Sequence, residues 1–260
     1  MSVRKLAFLP LLFALVLATG AQAQELKIAA AADLNPAMPK LSAAFSRQTG
    51  IQLKVSFGSS GNFFAEIRNG APFDVFLSAD RSYPETLEQA GKADQGTTLY
   101  ARGKLVVWVP NGLGLKPSPD NLKILTSPEV KKIAIANPEH APYGRAAVAA
   151  MVHFKLYDQV KPKLVLGENV SQTAQFAQSG NADAAMISLA QALSDTLKNS
   201  GHYALVPADS YPALDQSAVV LRSSQNKQAA HRFVEFLLSP AAQKILNEYG
   251  FETHGQEARK

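Results

Sequence analysis

Apolar positions along this chain fall into short continuous runs, separated by stretches in which they recur every three or four residues. The runs at 26–31, 51–57, 73–77, 104–109, 132–136, 163–166, 183–187, 204–206 and 217–222 read as strands. The periodic stretches at 36–48, 62–69, 83–89, 144–154, 171–178, 189–197, 227–238 and 240–249 read as helices. Strands alternating with helices predict α/β layers around a mainly parallel sheet. Residues 110–119 carry Pro110, Gly112, Gly114, Pro117 and Pro119, so they form a surface loop. The strand before that loop, 104–109, is placed to cross between two lobes, and 217–222 to cross back. Two crossings of this kind enclose a cleft and let it hinge. No internal repeat or low-complexity segment is present, and the polar residues 253–260 read as a disordered tail.

The amino terminus departs from this pattern. Arg4 and Lys5 precede an apolar stretch at 6–18, and Ala21-Gln22-Ala23 is a small-x-small cleavage signature. The apolar stretch is too short to span a bilayer comfortably. The expectation is a signal peptide over 1–23, cleaved after Ala23, and a soluble protein exported to the periplasm. With no cysteine in the chain there is neither a lipid-attachment thiol nor a disulfide, so the fold rests on its core. The formal charge of +5 includes the two basic leader residues, and the other charges are scattered. Without a basic run, nucleic acid is disfavoured as a partner.

Four segments place a helix start after a strand: AAADLNPAM at 30–38, FGSSGNFF at 57–64, NPEHAPYGRAA at 137–147 and GENVSQTA at 167–174. A helix start leaves backbone N–H groups unpaired and carries partial positive charge, so it attracts anions without Lys or Arg. Four such starts converging on one cleft would make an oxyanion receptor. Asp33 before Pro36 reads as an N-cap of the helix at 36–48. Ser59, Ser60 and Gly61 join a hydroxyl donor to a glycine that lets backbone approach a ligand. Tyr143-Gly144 and Val170-Ser171 open the other two helices, and Val170 has only its backbone to offer.

AAADL at 30–34, GSSG at 58–61, NGAPFDVFLSAD at 69–80, NPEHAPYG at 137–144 and YGF at 249–251 are together specific. With them the chain, from 26 to 251, resembles the periplasmic molybdate-binding proteins, the substrate receptors of molybdate ABC importers. The resemblance implies a type II periplasmic binding protein: two α/β lobes, 24–104 with 217–260 and 105–216, joined by two crossover strands. It implies a tetrahedral dianion, molybdate or tungstate, held by neutral donors between them. Carried over by position, the donors of the first lobe fall at Ala32, Asp33 and Ser60. Those of the second fall at Tyr143 and Val170 through backbone N–H, with a further position, often tyrosine, at Ser188. The partner implied is an inner-membrane ABC permease. The receptor is expected to be a monomer without cofactor, catalytic residues or cationic metal site.

Two positions depart from the family pattern. Ser188 is shorter than tyrosine and reaches the anion only through water, if at all. Asp33 is acidic where Ser or Asn is usual. An ionised carboxylate ~4 Å from a dianion would cost on the order of 8 kcal/mol at an effective dielectric near 20. Either Asp33 caps its own helix and leaves the ligand to backbone amides, or it is protonated and donates, or it accepts a proton from a hydrogen-bearing oxyanion. The cap context favours the first. The third would change the ligand.

His140, His153, His202, His231 and His254 show no HxxxH spacing, which argues against a metal site. Glu66, Asp74 and Asp80 read as surface caps and pairs, and Trp108 as core. No nucleophile elbow, phosphate loop or dinucleotide fingerprint occurs, which disfavours an enzyme on this type of fold.

Overall fold

The computed structural model describes residues 25–119 and 122–253. The leader with its cleavage site, and residues 254–260 of the predicted tail, lie outside the described residues. The strands are β1 (Glu25–Ala31), β2 (Gln52–Gly58), β3 (Val75–Ser78), β4 (Thr98–Gly103), β5 (Leu105–Pro110), β6 (Ile133–Ala136), β7 (Leu164–Gly167), β8 (Ala184–Ser188), β9 (Gly201–Leu205) and β10 (Leu214–Val220). The helices are α1 (Met38–Thr49), α2 (Ser60–Arg68), α3 (Ser82–Gln89), α4 (Pro142–His153), α5 (Tyr157–Val160), α6 (Val170–Gln178), α7 (Leu189–Ala192), α8 (Lys227–Leu237) and α9 (Pro240–Glu248).

Two five-stranded sheets result, ordered β2-β1-β3-β10-β4 and β7-β6-β8-β5-β9. Each is the core of one lobe. Three neighbouring strands in each run parallel, and the fourth position holds a strand of opposite direction, β10 in the first and β5 in the second. The mainly parallel expectation is thus corrected to two mixed sheets. In both, the reversed strand is the one that arrives from the other lobe, which the chain enters from the side facing its partner.

The crossings differ from expectation as well. Residues 104–109 do not bridge the lobes; the chain crosses at Lys104, between the first-lobe strand β4 and the second-lobe strand β5. Strand β4 has no counterpart in the periodicity reading, because TLYARG mixes its polar and apolar positions. The return runs through 206–213, and β10 lies wholly in the first sheet. Helix α7 is a single turn ending at Ala192, shorter than the predicted 189–197. Thr253 is also ordered: it is buried, and its hydroxyl accepts from the Asn247 amide at 2.9 Å.

The fully buried strands β3, β6 and β8 explain their unbroken apolar runs, since helices cover both faces of each sheet. In the first lobe, Phe45 of α1 packs edge-on to Phe233 of α8 at 5.1 Å, while Phe63, Ile67 and Leu87 cover the other face over Phe76. In the second lobe the helices pack through small residues, Ala146, Ala147 and Ala150 of α4 and Ala174 and Ala177 of α6.

Register then sets the functional ends. Ala31 of β1 lies opposite Gly58 of β2, and Ala136 of β6 opposite Gly167 of β7. Each parallel pair therefore finishes level, and the segments that follow emerge side by side at the carboxyl edge of the sheet, where α/β folds bind ligands.

Candidate functional site

Three of these helix starts, those of α2, α4 and α6, leave an early amide over. Ser59 caps α2 by accepting from the Asn62 amide at 3.4 Å, and the Gly61 amide donates to the His140 carbonyl at 2.8 Å. The Ser60 amide, first in the helix, has no intrahelical acceptor. Asn169 caps α6 by accepting from the Ser171 and Gln172 amides at 3.0 and 3.1 Å, leaving the Val170 amide in the same position. Helix α4 begins with Pro142, which has no N–H, so Tyr143 carries its first donor. A Cβ on Gly144 would lie 2.1 Å from the Ala136 carbonyl oxygen, so only glycine lets this helix start sit so low on β6.

These starts line one small cavity between the lobes. Its walls are Ala31, Ala32, Asp33, Gly58, Ser59, Ser60 and Ala79 from the first lobe, and Ala141, Pro142, Tyr143, Asn169 and Val170 from the second. No Lys, Arg or His is among them. Ser60 is fully buried, and its Oγ accepts from the Ala79 amide at 3.0 Å. That bond uses a lone pair and leaves the hydroxyl proton free to donate.

Asp33 is fully buried, and it does not cap a helix. A 3-10 turn at Ala32–Leu34 follows β1, and α1 starts only at Met38 with Pro39 in its first turn. The cap expectation is therefore corrected: Asp33 is too far upstream, and its Oδ2 accepts from Gln216 Nε2 of β10 at 2.8 Å. Its Oδ1 and the Tyr143 hydroxyl are buried without a partner in bonding geometry. Burial pushes the Asp33 carboxyl up to about 7, partly offset by the nearby Tyr143 hydroxyl, its own amide, Gln216 and the Leu34 amide. Burial, with Asp33 next in weight, likewise drives the Tyr143 phenol well above its ordinary value. A carboxyl poised near neutrality is the form that can share a site with an anion.

Of the six residues expected from sequence, Ala32, Asp33, Ser60, Tyr143 and Val170 come together around this cavity. Ser188 is not in its lining; its buried hydroxyl accepts from the Gln191 amide at 3.1 Å and caps α7. Residues that sequence reading missed join the lobes around the cavity. Arg145 donates to Asp80 Oδ2 at 2.5 Å and to the Tyr83 hydroxyl at 3.1 Å, so Asp80 pairs across the cleft as well as accepting from the Tyr83 amide at 3.3 Å. Asp74, also read as a surface residue, is buried and accepts from the Lys27 amide and the Ser224 hydroxyl. Among the described residues, no group of three His, Asp or Glu side chains is arranged to hold a metal ion.

The sequence and the overall fold have known counterparts. The family model described as bacterial extracellular solute-binding protein matches residues 26–252. The chain is 38% identical to the molybdate-binding protein ModA of Azotobacter vinelandii over 91% of its own length and 93% of that protein's. It is 36% identical to ModA of Rhodobacter capsulatus, over 91% and 92% of the two chains. The solved periplasmic molybdate-binding protein of Azotobacter vinelandii superposes with a TM-score of 0.80 at 35% identity, covering 87% of this chain and 98% of that one. The family match over 26–252 and this degree of identity place the chain in the bacterial extracellular solute-binding protein family, beside the ModA proteins.

Proposed function

We propose that this protein captures molybdate, and tungstate with it, in the interlobe cavity and delivers it to an ABC permease of the inner membrane. One observation carries the reading: five residues from four separate segments surround a single cavity that offers amides and a hydroxyl but no cation. Such a cage suits a proton-free tetrahedral dianion. Its fixed donor distances select by size, and its shortage of acceptors disfavours protonated anions. Asp33 enters this reading as the neutral acid. The protein needs no cofactor, since the oxyanion is its cargo, and it acts as a monomer after removal of residues 1–23. We take the lobes as 24–104 with 214–260, and 105–213: the change of sheet at Lys104 supports the expected first limit, and pairing of β10 from Leu214 onward favours 213/214 over the expected 216/217 for the second.

The test is calorimetric titration of molybdate, tungstate, sulfate, phosphate and chromate into the mature protein. Saturable binding of the first two alone is the expected result. Asp33 favours one second reading, in which its ionised form accepts a proton from a hydrogen-bearing oxyanion. Phosphate binding that strengthens where Asp33 is ionised, with molybdate silent, would establish that reading instead.

A further inference from the structure

The Ala32 carbonyl oxygen receives an unusual number of donors. The Asn35 amide donates to it at 3.2 Å within the 3-10 turn. From the opposite lobe, the Ser171 hydroxyl donates at 2.9 Å and Gln191 Nε2 at 3.0 Å. Gln191 Nε2 also donates to Ser171 Oγ at 2.7 Å. The protons account for one another: the two amide hydrogens of Gln191 serve Ala32 and Ser171, and the serine hydrogen serves Ala32. Gln191 is buried, and its backbone is fixed in turn by the Ser188 cap.

The Ala32 carbonyl belongs to the same planar peptide unit as the Asp33 amide, and no peptide bond among the described residues is cis. The amide therefore points to the opposite edge from a carbonyl held by three donors. Hydrogen bonds to a carbonyl polarise its unit and strengthen the N–H as a donor. Ala32 and Asp33 both line the cavity, as does Val170, the neighbour of Ser171. Two of the three donors come from the second lobe, so the contact with Ala32 joins the two lobes.

We propose that Gln191 and Ser171 are positioning residues of the anion site, which clasp the Ala32 carbonyl across the cleft and thereby aim and polarise the Asp33 amide toward the bound oxyanion. The inference rests on the molybdate reading and deepens it: lobe closure does more than enclose the ligand, since it completes one of its donors. It also gives Ser188 a part, through Gln191 rather than through the ligand.

Gln191→Leu removes both bonds made by the amide, and Ser171→Ala removes one donor while leaving Gln191 in place. Molybdate dissociation constants of the mature proteins are measured at pH 6.5, with ligand-free melting temperatures and the amide proton shift of Asp33 in the molybdate-loaded state. The expected result is about tenfold weaker binding for Gln191→Leu and about threefold for Ser171→Ala. Ligand-free melting should stay within ~2 °C of wild type, because bonds that exist only on closure add little to the open state. In both loaded variants the Asp33 amide proton should move upfield. Should Gln191→Leu fail to fold, Ser171→Ala carries the same three measurements. Wild-type binding with unaltered variants overturns the inference and spares the molybdate reading. Weaker binding with an unmoved Asp33 amide reduces the pair to fasteners of the closed form and also overturns it. A wild type that binds no molybdate overturns both.

Discussion

The two lobes present the same architecture to the cavity and equip it differently. Each offers the carboxyl ends of a parallel strand pair, β1 with β2 and β6 with β7, and helix starts behind them. To the cavity lining the second lobe gives Tyr143 and Val170, which open helices with free amides, and the Tyr143 hydroxyl lies near Asp33. The first lobe adds side-chain chemistry, a serine hydroxyl whose lone pair is already occupied and a buried acid. Backbone donors tolerate sequence change and hold geometry. Side-chain donors can be tuned. On the proposed function, selectivity belongs to the first lobe and closure to the fit between the two.

The largest effect should come from breaking that fit. A Cβ at Gly61 would stand 2.6 Å from both the His140 carbonyl oxygen and the Tyr83 hydroxyl. The carbonyl is backbone of the other lobe and cannot swing aside, so Gly61→Val should hold the cleft open. Molybdate affinity by calorimetry should fall at least a hundredfold, about 3 kcal/mol, while ligand-free melting changes little. Unchanged affinity would mean that the lobes do not meet here in the bound state.

Next is the contrast in donor type. Ser60→Ala removes a charge-assisted hydroxyl donor and should weaken binding by roughly 1.5–3 kcal/mol. Val170→Ala keeps its amide and should change the dissociation constant less than about threefold, since the peptide donor survives. Equal losses at the two sites would erase the asymmetry between the lobes.

The third concerns Asp33 and pH. Its folded value of about 7 lies above the ordinary 3.8, so the folded protein holds a proton that the unfolded chain has lost. Stability from this group is present at low pH and declines as pH rises from about 4 to 7, by at most ~1.4 kcal/mol per unit. Above pH 7 the acid ionises, and molybdate binding should weaken by up to about tenfold per unit. Asp33→Asn should flatten both profiles and bind more tightly than wild type at pH 8.5. A flat wild-type affinity profile between pH 6 and 9 would remove Asp33 from the neighbourhood of the anion.

Much of this was legible in the residues. Strands β3, β6 and β8 announce themselves because a strand covered on both faces is almost wholly apolar, and GSSG and PYG mark helix starts through the glycines that close approach demands. Strand β4 was invisible for the opposite reason: it mixes exposed and buried positions without an apolar run. Asp33 misled because Asp followed by Pro reads locally as a cap, whereas its partner Gln216 lies 183 residues away. No local pattern can weigh such a bond.

Local chemistry, then, was enough to establish the layers, the helix starts and the kind of guest they suit, because propensity, capping and periodicity act over a few residues. Only the tertiary structure decided which carboxyl is buried, which serine faces the cavity and which merely caps, and where the chain changes lobes. Those outcomes depend on desolvation and on contacts such as Gln191 with Ala32, 159 residues apart, and burial is a property of the assembled molecule that no short stretch of chain possesses.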